Sequence, residues 1–137
     1  MATATEVFPW KATYNVGIPQ VDSQHKQLVK LINDLHAAMQ SGKAKDVMGS
    51  IIDQLIVYTE RHFNDEETML RTRGYSRLAA HHAIHVDLTR QVIELRDKFK
   101  SSHLVLSIEI MHFLRDWLAT HILTHDLAYA KELGVQN

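Results

Sequence analysis

Residues 55–69 read LIVYTERHFNDEETM, and the placing of three side chains in that stretch decides the fold. Leu55, His62 and Glu66 stand seven and then four residues apart. At about 100° per residue, a helix brings them within about 40° of one another. An apolar stripe therefore runs on into an imidazole and a carboxylate that share its face. No proline or glycine interrupts the stretch. The spacing predicts a helix over residues 45–71, ended before Gly74, that aims polar donors at whatever it packs against.

The same period extends in both directions. Both prolines, Pro9 and Pro19, fall in the first twenty residues. Residues 1–19 therefore read as an irregular N-terminal arm. A helix over 20–40 follows, carrying Leu28, Ile32, Leu35 and Met39 and stopped by Gly42. The 45–71 helix adds Ile51, Tyr58 and Met69 to its stripe. A third helix spans 76–100, with Ser76 as N-cap and Leu78, Leu88, Val92, Leu95 and Phe99 on one face. A fourth spans 104–133 and carries Ile110, Leu114, Trp117, Leu118 and Ala128. Short connections favour antiparallel neighbours. The expectation is all-α: an antiparallel up-down-up-down four-helix bundle over residues 20–134, within a single domain of residues 1–137.

Composition sets the outer limits. At 137 residues and 45% hydrophobic, the chain suits one domain with a real core. A formal net charge of −1 gives no basic surplus for nucleic acid. The apolar runs are short and broken by charges, so no membrane span is expected, and MATATEVFPWK carries no leader pattern. Zero cysteines exclude disulfides and thiolate ligands, and fit a reducing cytoplasm. Ten histidines are many for this length, and without cysteine they point to metal.

Those histidines fall on the stripes. His25 begins the first, three before Leu28. His81 and His85 lie between Leu78 and Leu88, and His121 lies seven after Leu114. Every helix points at least one imidazole inward, and antiparallel packing brings them to the same end of the bundle. One inward histidine is ordinarily a core residue bonded to a carbonyl. Five on four facing helices, with a carboxylate, would cost on the order of several kcal/mol per unpaired group. A shared metal site removes that cost.

Spacing leaves two choices open. His82 lies about 100° from His81, which places it at an interface or the surface. On the last helix, His125 is four residues from His121 and Asp126 is five, about 140° round a straight helix. An aspartate there reaches the face only from the flank or through a local π-type bulge. Three other histidines have weaker claims: His36 is too far from His25 to share a metal, His103 reads as solvated, and His112 as surface.

The pieces Asp22-Ser-Gln24-His25, His62-xxx-Glu66-Glu67, Gly74-Tyr75 with His81-xxx-His85, and Trp117-Leu118-xx-His121-xxxx-Asp126-xx-Tyr129 together resemble the hemerythrins, most closely the bacterial single-domain ones. The resemblance covers nearly the whole chain. Ser76 stands where that family often has proline, and either residue can start a helix. The resemblance implies that Asp126 rather than His125, and His81 and His85 rather than His82, are ligands. It implies two Fe ions bridged by Glu66, Asp126 and a solvent-derived oxo or hydroxo group. One iron takes His81, His85 and His121. The other takes His25 and His62 and keeps one position open for dioxygen.

The implied function is reversible dioxygen binding by an oxygen carrier or store, not an enzyme. Rival functions are sensing or scavenging of oxygen or nitric oxide, iron storage, and an oxidase or peroxidase. Leu28, Ile32, Leu55, Phe63, Trp117 and Leu118 are candidates to line the pocket, and Asp22, Gln24 and Glu67 to orient the imidazoles. Dioxygen is the expected partner of a monomer, with any oxygen-consuming protein partner unidentified.

Overall fold

Pro19 opens helix α1 (Pro19–Gln40) at a position where its missing N–H is no loss and its fixed φ suits the helix. Helix α2 (Lys45–Thr72) follows after a tight turn. It ends at Gly74, whose φ of +72° lets the Tyr75 N–H return to the Leu70 carbonyl at 3.0 Å. Helix α3 spans Leu78–Lys100. Helix α4 (Ile108–His121) passes through a π-type stretch (Ile122–Asp126) into α5 (Leu127–Glu132). The computed structural model describes residues 6–135. The first five residues of the expected arm and the last two of the expected domain lie outside the described residues.

Among the described residues there is no strand, and the long helices pack α1 on α2, α2 on α3 and α1 on α4. This is the expected four-helix bundle, with α4 and α5 together forming its fourth member. Leu28, Ile32, Leu35, Ile52, Leu55, Met111 and Leu114 are fully buried along its axis. No described helix is long and apolar enough to cross a membrane.

Several local expectations need correction. Ser76 does not cap α3, which begins two residues later. Glu132 has captured Ser76 instead, taking hydrogen bonds from its N–H at 2.9 Å and from its hydroxyl. The fourth helix starts at Ile108, not 104, because Ser107 is the better cap: its Oγ accepts the Ile110 N–H at 3.3 Å. The inward face of α2 is centred on Ile52, Thr59 and Glu66, leaving Ile51, Tyr58 and Met69 half-buried on its flanks. Ala128 is exposed, while Tyr129 and Ala130 turn inward. The π stretch shifts the register of everything after it.

The arm is less loose than its composition suggests. Phe8, Tyr14 and Val16 are buried. Asn33 clasps the Phe8 backbone, accepting its N–H and donating to its carbonyl, both at 2.9 Å. Asp22 accepts the N–H groups of Val16 at 2.7 Å and Gly17 at 3.2 Å. Between these clasps a 3-10 turn (Ala12–Tyr14) lies against the π stretch.

Candidate metal centre

Helix α1 contributes His25, α2 contributes His62 and Glu66, α3 contributes His81 and His85, and the fourth member contributes His121 and Asp126. All seven are between 0 and 3% exposed. Their donor atoms form two groups, each with all atoms within 4.8 Å of one another. Glu66, His81, His85, His121 and Asp126 make one; His25, His62, Glu66 and Asp126 make the other. The carboxylates belong to both.

Each carboxylate divides its oxygens between the groups. Glu66 Oε1 lies 2.8 Å from His81 Nε2 and 3.1 Å from His85 Nε2. Its Oε2 faces His62 Nε2 at 3.5 Å and His25 Nε2 at 3.8 Å. Asp126 Oδ1 lies 3.2 Å from His81 Nε2 and 3.1 Å from His121 Nε2, while Oδ2 lies 3.0 Å from His25 Nε2. His82, His103 and His112 are exposed, and His125 is half-buried beside the cluster. His36 is buried but belongs to neither group.

Outer partners fix the rings. The His62 Nδ1–H donates to Gln24 Oε1 at 2.6 Å, and Gln24 Nε2 donates to Asp65 Oδ2 at 2.9 Å. The His85 Nδ1–H donates to Glu67 Oε2 at 2.8 Å, and the other Glu67 oxygen takes the His82 Nδ1–H at 2.6 Å. In both cases the Nε2 lone pair is left for the cluster. Asp22, also expected here, is occupied with the arm. Two further roles escape the sequence. Tyr129 donates its hydroxyl to Glu66 Oε2 at 3.1 Å. Phe63 stacks on His85 with centroids 3.8 Å apart and planes 2° from parallel. Tyr129 stands three after Asp126, a spacing that could have placed it on the cluster's face.

Charge and burial compete within the cluster. Burial and the Asp126 carboxylate push Glu66 up, but contacts from His81 and His85 win and hold it at about 2. Burial likewise opposes the His121, His25 and His81 contacts at Asp126, which nonetheless stays well below the usual carboxylate range. Burial disfavours a charged His81, yet its two carboxylate neighbours raise it to about 9. His62 goes the other way: burial outweighs Glu66 and lowers it to about 4. Burial and the Glu66 charge raise the Tyr129 hydroxyl far out of the titratable range, so it remains a donor.

The donors fit a pair of cations. Both nitrogens of His25, His62 Nε2 and both oxygens of Asp126 are buried without an aligned hydrogen-bond partner, despite their close approaches. Buried polar groups in that condition cost on the order of 1–3 kcal/mol each, and more when charged. Metal ions held by the Nε2 atoms of His25 and His62 and by the Asp126 oxygens would take up the lone pairs left over there. Five imidazoles and two carboxylates, with no thiolate, suit iron, zinc or manganese.

A bundle whose four members each send donors to one buried, doubly shared cluster defines a non-haem two-metal protein. The Hemerythrin HHE cation binding domain matches residues 16–133, and the chain belongs to the hemerythrin family. It is 38% identical to a bacteriohemerythrin of Pseudomonas aeruginosa over 120 residues, 88% of this chain and 77% of that one. It is 33% identical to a bacteriohemerythrin of Methylococcus capsulatus over 86% of this chain and 89% of that one. A wild-type hemerythrin crystal structure superposes with a TM-score of 0.83 at 32% identity, covering 92% of this chain and 97% of its own. The family model describes a cation-binding domain, which agrees with the two adjoining groups of buried donors.

Proposed function

We propose that the chain binds dioxygen reversibly as a carrier or store. His81, His85 and His121 would hold one iron and His25 and His62 the other, with Glu66 and Asp126 each offering one oxygen to either group. The observation that carries this reading is the division of both carboxylates, one oxygen toward each histidine group. When bound, the two irons supply the electrons that dioxygen takes up and gives back.

The protein's part is to hold and to exclude. Three imidazoles stand on one side and two on the other, so a cation on the His25–His62 side would have fewer protein donors and could take a small ligand in addition. Gln24 and Glu67 retain the Nδ1 protons of His62 and His85 and keep each Nε2 facing the cluster. Leu28, Phe63 and Leu118 are buried next to these histidines and keep water out, which reversibility requires. Binding rather than turnover is supported by the donor set, because two carboxylates stabilise oxidised iron less than the carboxylate-rich sets of ferritin-like bundles. We take residues 1–137 to act as one domain and the protein to be a monomer; its exposed large apolar side chains, such as Val57, Val86 and Phe113, are spread over three different helices. Absent cysteines support a reducing cytoplasm.

An anaerobic spectral titration tests the function. The reduced protein is expected to gain colour with one dioxygen per two irons and to lose it on deoxygenation without damage. Irreversible bleaching, or steady consumption of an added reductant, overturns the carrier reading.

A further inference from the structure

Each long helix places one more side chain in the layer beside the cluster, on the side of the bundle's middle. That residue lies three positions from the helix's own cluster histidine: Leu28 after His25, Thr59 before His62, Leu88 after His85 and Leu118 before His121. Leu28 and Thr59 are 0% exposed, Leu118 is 2% exposed, and Leu88 is half-buried. Three leucines and one threonine make this layer, so Thr59 brings the single hydroxyl to a hydrocarbon wall.

That hydroxyl is buried without a hydrogen-bond partner. Two other helix threonines behave differently. Thr72 and Thr89 return their hydroxyls to the carbonyl four residues earlier, at 2.9 and 2.8 Å. Thr59 makes no such bond. Valine has nearly the same shape and would fill the position without leaving a polar atom unsatisfied. Register points the residue at the cluster as well, because Thr59 precedes Glu66 by seven residues, within about 20° on the same stripe. Phe63, one turn further along, lies against the cluster rings, with centroids 3.8 Å from His85 and 5.8 Å from both His62 and His121.

We propose that Thr59 recognises the bound ligand: its hydroxyl donates a hydrogen bond to the outer atom of a dioxygen-sized ligand or small anion seated on the mid-bundle side of His25 and His62. The inference rests on the proposed di-iron reading. It makes Thr59 a residue that discriminates small ligands by whether they present a lone pair to the wall.

Thr59→Val and Thr59→Ser separate this role from a structural one. Metal-free Thr59→Val is expected to melt at the wild-type temperature or above it, because no internal bond is lost. Iron-loaded Thr59→Val is expected to bind azide about fivefold more weakly and to release dioxygen about fivefold faster, the worth of one neutral hydrogen bond. Thr59→Ser should stay near wild type in both. Unchanged azide affinity in Thr59→Val overturns the proposal. So does a lower melting temperature of metal-free Thr59→Val, since the hydroxyl would then be bonded within the protein. A wild type that binds iron and azide but not dioxygen ends the carrier reading, and the azide comparison still decides Thr59. A wild type that holds no iron overturns both.

Discussion

His121 Nε2 lies 3.1 Å from Asp126 Oδ1, although five residues separate them and a straight α-helix would turn them about 140° apart. The π stretch between them closes that angle. Asp126 thereby faces three imidazoles, of His25, His81 and His121. Asp126→Asn keeps its size and removes its charge. It is expected to retain the helical circular dichroism signal and to hold fewer than two irons per chain after dialysis. Two retained irons would remove Asp126 from the ligand set.

Glu67 ties an exposed histidine to a buried one through its two oxygens. Only the bond to His85 reaches the cluster. Glu67→Ala should therefore weaken iron binding by about 10–100-fold, the usual effect of losing a group that orients a ligand histidine. His82→Ala should change it little. Chelator competition measures both, and equal losses would show that the His82 bond matters as much as the His85 bond.

Tyr129 gives Glu66 Oε2 its hydroxyl hydrogen bond in a fully buried setting. Tyr129→Phe deletes that bond and leaves a charged oxygen with one partner fewer. Metal-free Tyr129→Phe is expected to lose about 1.5–3 kcal/mol of stability in denaturant titration. A loss under about 0.5 kcal/mol would mean that the carboxylate is satisfied without it.

The metal-free protein should respond to pH on both sides of neutrality. His81 is raised from 6.5 to about 9, so the stability it contributes is complete below pH 6.5 and is lost as pH rises through 9. His62 is lowered from 6.5 to about 4, so its contribution holds above 6.5 and is lost as pH falls toward 4. Melting of the metal-free protein should peak near pH 6.5 and fall by several degrees by pH 9. If His81 holds iron as proposed, metal binding displaces its proton, and the alkaline decline should vanish. A metal-free protein with the same melting temperature at pH 6.5 and 9 contradicts this.

The bundle was legible because Leu28, Ile32, Leu55, Leu114 and their neighbours repeat at helical spacing. The inward positions of His25, His62, His81, His85 and His121 came with them. Asp126 was not legible from period alone, because a π stretch is a tertiary accommodation with no residue type of its own. The resemblance to a family, not the geometry of a straight helix, favoured Asp126 over His125. Ser76 misled for a related reason: its partner, Glu132, lies 56 residues away in the chain. Asp22 looked like an imidazole's neighbour, yet two backbone N–H groups reached it first. Local pattern reports what a residue can do, and the fold decides which offer is taken.

The arm held by Asn33 and Asp22 presses its 3-10 turn against the segment that carries Asp126. Its attachment rests on three buried side chains and a few side-chain bonds rather than on a helix ladder, so it should detach more often than the bundle unfolds. The amide protons of Phe8, Val16 and Gly17, each donated to one of those side chains, exchange with solvent only when it does. Their deuterium uptake is therefore a clock for how often this end of the protein breathes, and it can be read without disturbing a single residue of the histidine–carboxylate cluster.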